Sequence, residues 1–291
     1  MTIIQLNDIV KIAIASGKGG TGKTTLATNL AVYLSAYRDI VLADLDVEEP
    51  NSGLFIRAEK VYEEVKYKMI PGWVEQDCTF CGLCQEVCSF NAVLNLGKHI
   101  LVYPELCHSC YACSEMCPES ALPMKKQRMG MLGHYRGTNL DFVSSRLDIG
   151  QEQAVPLIAQ TLEYINQLAG DDSIMILDSP PGTSCPVIEA TKDADRVILI
   201  TEPTPFGLHD LKLAVETMEI IGKDYAVVIN RYGTGNNAVE EYCENKNIRV
   251  IARIDDNRQV AELYSRGELV YENLPAFRES LDRIKDYILG S

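Results

Sequence analysis

Apolar residues along this chain gather into short continuous runs that alternate with longer stretches of helical spacing. Lys11 to Ser16, Ile40 to Ala43, Ile174 to Leu177, Arg196 to Thr201 and Ala226 to Asn230 are dominated by Ile, Val, Leu and Ala. Runs of that length without polar alternation predict strands buried on both faces. Leu26 to Leu34 and Leu208 to Ile221 carry helical spacing instead. Strands alternating with helices predict an α/β fold, a doubly wound and mostly parallel sheet with helices covering it.

Near the C-terminus, Phe277, Leu281, Ile284 and Ile288 form an apolar helical stripe. Arg278, Glu279, Asp282, Arg283, Lys285 and Asp286 between them balance in charge, whereas membrane-surface helices are enriched in Lys and Arg. The stripe is therefore expected to pack against the sheet. The alternation lapses in the middle of the chain, and Val61 to Met69 and Thr138 to Leu147 read as strands bordering that interruption.

Composition narrows the class. The 291 residues are 46% hydrophobic, enough for one large core and a small module. No apolar run approaches the roughly 18 residues of a membrane span and no signal peptide opens the chain, so a soluble, cytoplasmic protein is expected. A net charge of -14 argues against a nucleic-acid surface, which needs clustered Lys and Arg. Ten cysteines in a chain this long, with no targeting segment, point to reduced, metal-bound thiols rather than a disulfide scaffold.

The first strand runs into Gly17-Lys18-Gly19-Gly20-Thr21-Gly22-Lys23-Thr24-Thr25 and then a helix. Glycines let backbone N–H groups approach phosphates, and the helix N-terminus favours their charge. Lys23 is placed to reach the β- and γ-phosphates and the Thr24 hydroxyl to ligate Mg. Asp44 follows the second strand, within Asp44-Leu45-Asp46-Val47-Glu48-Glu49-Pro50-Asn51, and Asp178 opens Asp178-Ser179-Pro180-Pro181-Gly182 after another. A carboxylate at a buried strand end suits a magnesium-bound water, although either aspartate alone would equally cap the element that follows.

Lys18, just after the first glycine, together with these two aspartate segments, resembles the deviant Walker A loop and switches of the MinD, ParA and nitrogenase iron-protein superfamily. The resemblance covers nearly the whole chain outside the cysteine-rich segment. It implies a Mg-dependent ATPase that binds ATP or ADP and forms an ATP-dependent homodimer, in which Lys18 reaches the partner's phosphates. It further implies that Asp46 positions or activates the attacking water, with Asp44 and Asp178 near Mg. Asn230 would contact the adenine and Arg231 lie beside it, although a plain turn former at Asn230 reads equally well. Glu202-Pro203-Thr204-Pro205 and Asp255-Asp256-Asn257 are expected as loops on the same rim.

Eight cysteines lie between those two switch segments, as Cys78-x2-Cys81-x2-Cys84-x3-Cys88 and Cys107-x2-Cys110-x2-Cys113-x3-Cys117-Pro118. This is the spacing of bacterial two-cluster ferredoxins, in which the remote cysteine of each run ligates the other cluster. The expected sets are Cys78, Cys81, Cys84 and Cys117 for one 4Fe-4S cluster, and Cys107, Cys110, Cys113 and Cys88 for the second. Ser89 stands where the first run would carry proline. A pair of zinc sites is the alternative, but it requires neither a third cysteine nor a crossed fourth. The predicted organisation is a nucleotide-binding core in two parts, 1–70 and 127–291, interrupted by a small α+β ferredoxin domain at 71–126. Its expected partner is a redox or metallocluster-maturation protein.

Two cysteines lie outside these sets. Cys185, beside the second switch, is either a small buried apolar residue or, in a dimer, one half of a shared metal site. Cys243 is expected to be structural. His108, within the second run, is expected near the cluster or on the surface rather than as a ligand. His99, His134 and His209 carry no readable signal.

Overall fold

The computed structural model describes residues 9–290. The predicted outer limits of the nucleotide-binding core, Met1 and Ser291, lie outside them. In chain order, β1 (Val10–Ala15), α1 (Lys23–Leu34) and β2 (Ile40–Asp44) are followed by the long β3 (Glu59–Pro71). Then come α2 (Leu83–Glu86), β4 (Val93–Asn95), β5 (Ile100–Val102), α3 (Ala112–Glu115), β6 (Met124–Gly137) and β7 (Leu140–Leu147). The remainder alternates: α4 (Val155–Leu168), β8 (Ile174–Asp178), α5 (Cys185–Thr191), β9 (Arg196–Thr201), α6 (Pro205–Ile220), β10 (Tyr225–Tyr232), α7 (Ala238–Asn245), β11 (Val250–Asp255), α8 (Arg258–Ser265) and α9 (Pro275–Leu289).

Nine of the described strands form one sheet in the order β11-β10-β9-β1-β8-β2-β7-β6-β3. The pairs β1–β8, β1–β9, β2–β7, β2–β8, β9–β10 and β10–β11 are parallel. The turn Thr138–Asn139 between β6 and β7 has Asn139 at φ 52°, a left-handed conformation that short polar residues tolerate. Every residue of β2 and β8 is buried, as central parallel strands covered on both faces require. The core joins Ile12, Ile14, Leu26, Leu30, Leu42, Ile176, Ile198 and Val228.

The strands expected from Val61 to Met69 and from Thr138 to Leu147 are present as β3 and β7. The sequence pattern missed β6, whose start Met124-Lys125-Lys126-Gln127 has one apolar residue followed by three polar ones. The C-terminal stripe packs as expected, since Phe277, Leu281, Ile284 and Ile288 all belong to the core. No described helix is long and apolar enough to cross a membrane.

Two compact units divide the chain. One comprises the described residues up to Glu63, Leu132–Arg146, and Ile158 onward; the other comprises Glu64–Met131 and Leu147–Leu157. Both β3 and β6 run from one unit into the other. The second unit contains the antiparallel pair β4–β5, in which Val93 faces Val102 and Asn95 faces Ile100. Its small core is built from Val93, Ile100 and Leu122 with Cys84 and Cys113.

Candidate functional site

In the first unit, the carboxyl ends of β1, β2, β8, β9, β10 and β11 carry the candidate residues, the edge where open α/β sheets bind ligands. The chain leaves β1 into the glycine-rich loop. A Cβ on Gly17 would lie 2.2 Å from the Asp210 carbonyl oxygen, so only glycine fits. Gly22 caps α1 at φ 99°, a left-handed conformation that costs a side-chain-bearing residue. A Cβ there would also meet the Asn230 amide nitrogen at 2.5 Å. That amide donates to the Thr21 carbonyl at 2.7 Å and braces the loop.

Lys23, at the start of α1, is 7% exposed. Its ammonium donates to Ser16 Oγ at 2.9 Å and to the Lys18 carbonyl at 3.3 Å. Burial holds its pKa below the ordinary lysine range, while Asp178 and Asp46 oppose that shift. A cavity of about 570 Å³ opens above the loop, lined by Gly19, Gly20, Gly22, Lys23, Thr24, Thr25, Asp46, Asn230 and Arg231 among the expected residues. Asn51, Asp255, Asp256, Asn257, Arg258 and Tyr264 line it as well. Gly17, Lys18, Thr21, Asp44 and Asp178 are not among its walls.

Asp44 and Asp178 end adjacent parallel strands as direct register partners. Asp44 Oδ1 accepts the Asp46 N–H at 3.2 Å, and Oδ2 accepts those of Asn51 and Ser52 at 2.9 Å each. Asp178 Oδ2 accepts the Ser52 hydroxyl at 2.9 Å, and Thr24 also hydrogen-bonds this carboxylate. Burial raises both carboxyl pKa values, and at Asp44 the neighbouring Asp178 adds to the rise. Burial raises that of Asp46 too, with Lys23 acting against it.

Asp178 Oδ1 is buried with no hydrogen-bond partner among the described residues. A buried carboxylate oxygen left unpaired beside the Thr24 hydroxyl fits a Mg ion. A cavity of this size, floored by a helix N-terminus, fits a nucleotide.

Two further residues complete the rim. Glu202, at the end of β9, has a side chain only 8% exposed and pairs with Lys18 at 3.1 Å and with Arg231 at 3.0 Å. The sequence placed Glu202 in a rim loop without a role. Arg231 is at φ 52°, uncommon for a residue with a side chain. Ser52 was also missed; its only sequence signal is its position directly after the first switch segment.

The second unit contains two small cavities. One is lined by Cys78, Cys81, Cys84 and Cys117, the other by Cys88, Cys107, Cys110 and Cys113. These are the crossed sets expected from spacing. No three His, Cys, Asp or Glu side chains among the described residues converge as they would on a single metal ion; the thiols line cavity walls instead. All eight are free of disulfides. Burial pushes the Cys84 and Cys113 thiols up, Cys113 to about 11, and their own set mates contribute: Cys78 and Cys81 for the former, Cys107, Cys88 and Cys110 for the latter.

The two runs match in backbone as well as spacing. Cys78 N–H donates to the Glu75 carbonyl at 3.1 Å and Cys107 N–H to that of Pro104 at 3.2 Å. Ala92 N–H meets Cys88 Sγ, and Ala121 N–H meets Cys117 Sγ, both at 3.3 Å. Phe80 and Ser109 share left-handed φ values of 57° and 55°, and Asn91 and Ser120 share 53°. Gly82 takes φ 85° where the second run has Tyr111 at 65°. Such cysteine-lined cavities, with N–H groups already aimed at sulfur, fit cubane clusters.

Among the remaining candidates, Cys243 is buried and Cys185 is exposed at the first position of α5, which removes the reading of Cys185 as a buried apolar residue. His108 stacks on Phe90 with ring centroids 3.7 Å apart and lines the second cavity. His134, unreadable in sequence, is buried between the Tyr164 hydroxyl at 3.0 Å and Asp141 at 2.6 Å.

A family model described as the CobQ/CobB/MinD/ParA nucleotide binding domain matches residues 12–270. An uncharacterized protein of Methanocaldococcus jannaschii is 29% identical over 98% of this chain and 99% of its own length. An iron-sulfur cluster carrier protein of Pyrococcus horikoshii is 23% identical over 94% of this chain and 83% of its own. The solved structure of the septum site-determining protein MinD complexed with Mg-ADP, also from Pyrococcus horikoshii, aligns with a TM-score of 0.57 at 18% identity, covering 96% of each chain. At that identity the likeness is one of fold.

Proposed function

Because the chain belongs to the CobQ/CobB/MinD/ParA nucleotide-binding family, we propose that it is a Mg-dependent ATPase whose ATP-bound homodimer governs electron delivery by two 4Fe-4S clusters to a redox or metallocluster-maturation partner. The observation that carries this reading is the pair of cavities, each lined by four cysteines drawn crosswise from both runs, in a chain that also has the nucleotide cavity. The cluster module is centred on 71–126 and takes in the second unit, Glu64–Met131 with Leu147–Leu157; the rest of the chain is the ATPase.

Within the nucleotide site the roles follow from chemistry already described. Backbone N–H groups of Gly17 to Thr25 cradle phosphates, and Lys23 supplies the charge that meets the β- and γ-oxygens. Thr24, Asp44 and Asp178 hold Mg, which neutralises phosphate charge when bound. Asp46 lines the cavity and orients the attacking water. Lys18 leaves Glu202 to reach the partner's phosphates. Asn230 and Arg231 border the base. The γ-phosphate favours the closed dimer only to the extent that the closed state binds it better.

The cysteines position the clusters, which supply one-electron chemistry when bound. A second reading, an ATP-dependent carrier or scaffold for iron-sulfur clusters, is favoured by the name of the Pyrococcus relative. Anaerobic purification followed by redox titration with and without ATP tests the first reading. ATP-dependent reduction of retained clusters supports it. Clusters that cannot be reduced at low potential sink it, and rapid transfer to an apo-acceptor replaces it with the carrier reading.

A further inference from the structure

We propose that Lys68 raises the reduction potential of the cluster held by Cys107, Cys110, Cys113 and Cys88, so that an electron entering the module settles there. The inference rests on the cluster-binding reading above.

Lys68 lies on β3 within the second unit and is 3% exposed. Its ammonium donates to the Pro104 carbonyl at 2.7 Å and to Gln153 Oε1 at 3.3 Å. Both acceptors are neutral, and among the described residues Lys68 makes no ion pair. The same Pro104 carbonyl accepts the Cys107 N–H at 3.2 Å, so one oxygen joins the buried ammonium to the backbone of a cluster-binding cysteine. The next residue on the strand repeats the attachment, with Ser109 Oγ donating to the Met69 carbonyl at 2.7 Å. Electrostatics agrees with this placement. Burial lowers the Lys68 pKa, while Cys107 and then Glu105 act against that shift.

Cluster potential is set by nearby charge, by hydrogen bonds to sulfur and by solvent exposure. The hydrogen bonds are matched between the two runs, as the equal Ala92 and Ala121 contacts show. Charge is not matched: Glu119 lines the first cavity, whereas the buried Lys68 ammonium, with Glu105 acting on it, stands behind the second through the Pro104 carbonyl that accepts the Cys107 N–H. Reduction adds a negative charge. A buried ammonium stabilises it strongly because little solvent screens the pair. Cys107 is more buried than Cys78, which opposes this by disfavouring added charge, so comparison of variants at one site isolates the contribution of Lys68. The step is the uptake of one electron from an external reductant, with no bond formed or broken.

The test uses the full chain purified anaerobically, with eight irons verified chemically, and titrated with Ti(III) citrate under EPR. Lys68→Gln removes the charge but keeps a donor toward Pro104; Lys68→Arg keeps the charge. The Gln variant is expected to lower one midpoint so that electron partition between the clusters changes about tenfold, about 59 mV for one electron. The Arg variant should stay near wild type. Cys110→Ser, which alters the EPR signal of the second cluster, assigns the midpoint that moves. If Lys68→Gln fails to take up clusters, Lys68→Met replaces it.

A charge-removing variant with eight irons and unchanged midpoints overturns the inference alone. So does an equal fall at both clusters, or an Arg variant that falls as far as Gln. Wild-type protein unable to hold eight irons overturns the cluster-binding reading and this inference together.

Discussion

Ser52 ties Asp44 to Asp178: its N–H donates to the first carboxylate and its hydroxyl to the second, each at 2.9 Å. The two acids end neighbouring strands as direct register partners, and burial raises both pKa values. Where a folded carboxyl has a raised pKa, the unfolded chain binds fewer protons than the native state, so stability falls as pH climbs from the ordinary carboxylate range toward the folded value. Asp178→Asn should therefore raise the melting temperature of the nucleotide-free protein at pH 7. The gain should vanish below about pH 4, where both states are protonated. The variant should also lose stabilisation by Mg-nucleotide. Thermal melts across pH check this, and a variant that melts lower than wild type at pH 7 would sink it.

Ser52→Ala removes one of the two hydroxyl donors of Asp178, leaving that of Thr24, while keeping the backbone bond to Asp44. A buried acceptor stripped of one partner costs about 1–3 kcal/mol, which lowers melting by roughly 2–4 °C per kcal/mol in a chain of this size. Calorimetry without nucleotide measures it, and an unchanged melt would mean that the Ser52 bond contributes nothing net.

Lys23 and Lys18 should separate by assay. Lys23→Ala is expected to abolish nucleotide binding, because its charge meets the phosphates within one subunit. Lys18→Ala should retain binding but lose about a thousandfold in turnover, the scale of a charge supplied across an interface. Calorimetric binding alongside phosphate release distinguishes them. Equal hydrolysis by wild type and the Lys18 variant contradicts a role in the partner's site. Glu202→Gln frees Lys18 from its ion pair, and dimerisation at a given ATP concentration should then increase, as read by light scattering.

The crossed cysteine sets predict opposite losses. Cys117→Ser should damage the cluster of Cys78, Cys81 and Cys84, whereas Cys88→Ser should damage the other. EPR of each variant would show which signal persists. Loss of the signal belonging to the same run as the mutated cysteine would contradict the crossing.

Much of this was legible in sequence because it is written in local spacing. The glycine-rich loop and both cysteine runs depend on residues only a few positions apart, and the apolar strands announce themselves without partners. Ser52, Glu202 and Lys68 were not legible, since each acts through residues distant in sequence: Asp178, the Lys18–Arg231 pair, and the Pro104 carbonyl. A buried lysine in a strand reads as a solvated one until its neighbours are known. β6 escaped because its polar start looks like a loop and its strand character comes from pairing in the sheet. The adenine role given to Asn230 came from resemblance alone; its bond to Thr21 had no counterpart in the pattern.

The matched turns of the two cysteine runs have a historical consequence. Left-handed residues, sulfur-directed N–H groups and capping carbonyls recur at one constant offset, which is the mark of a tandem duplication. Duplication alone yields two equivalent halves. Lys68 belongs to neither copy and approaches only the second, so divergence between the twins did not require either copy to lose its inherited backbone.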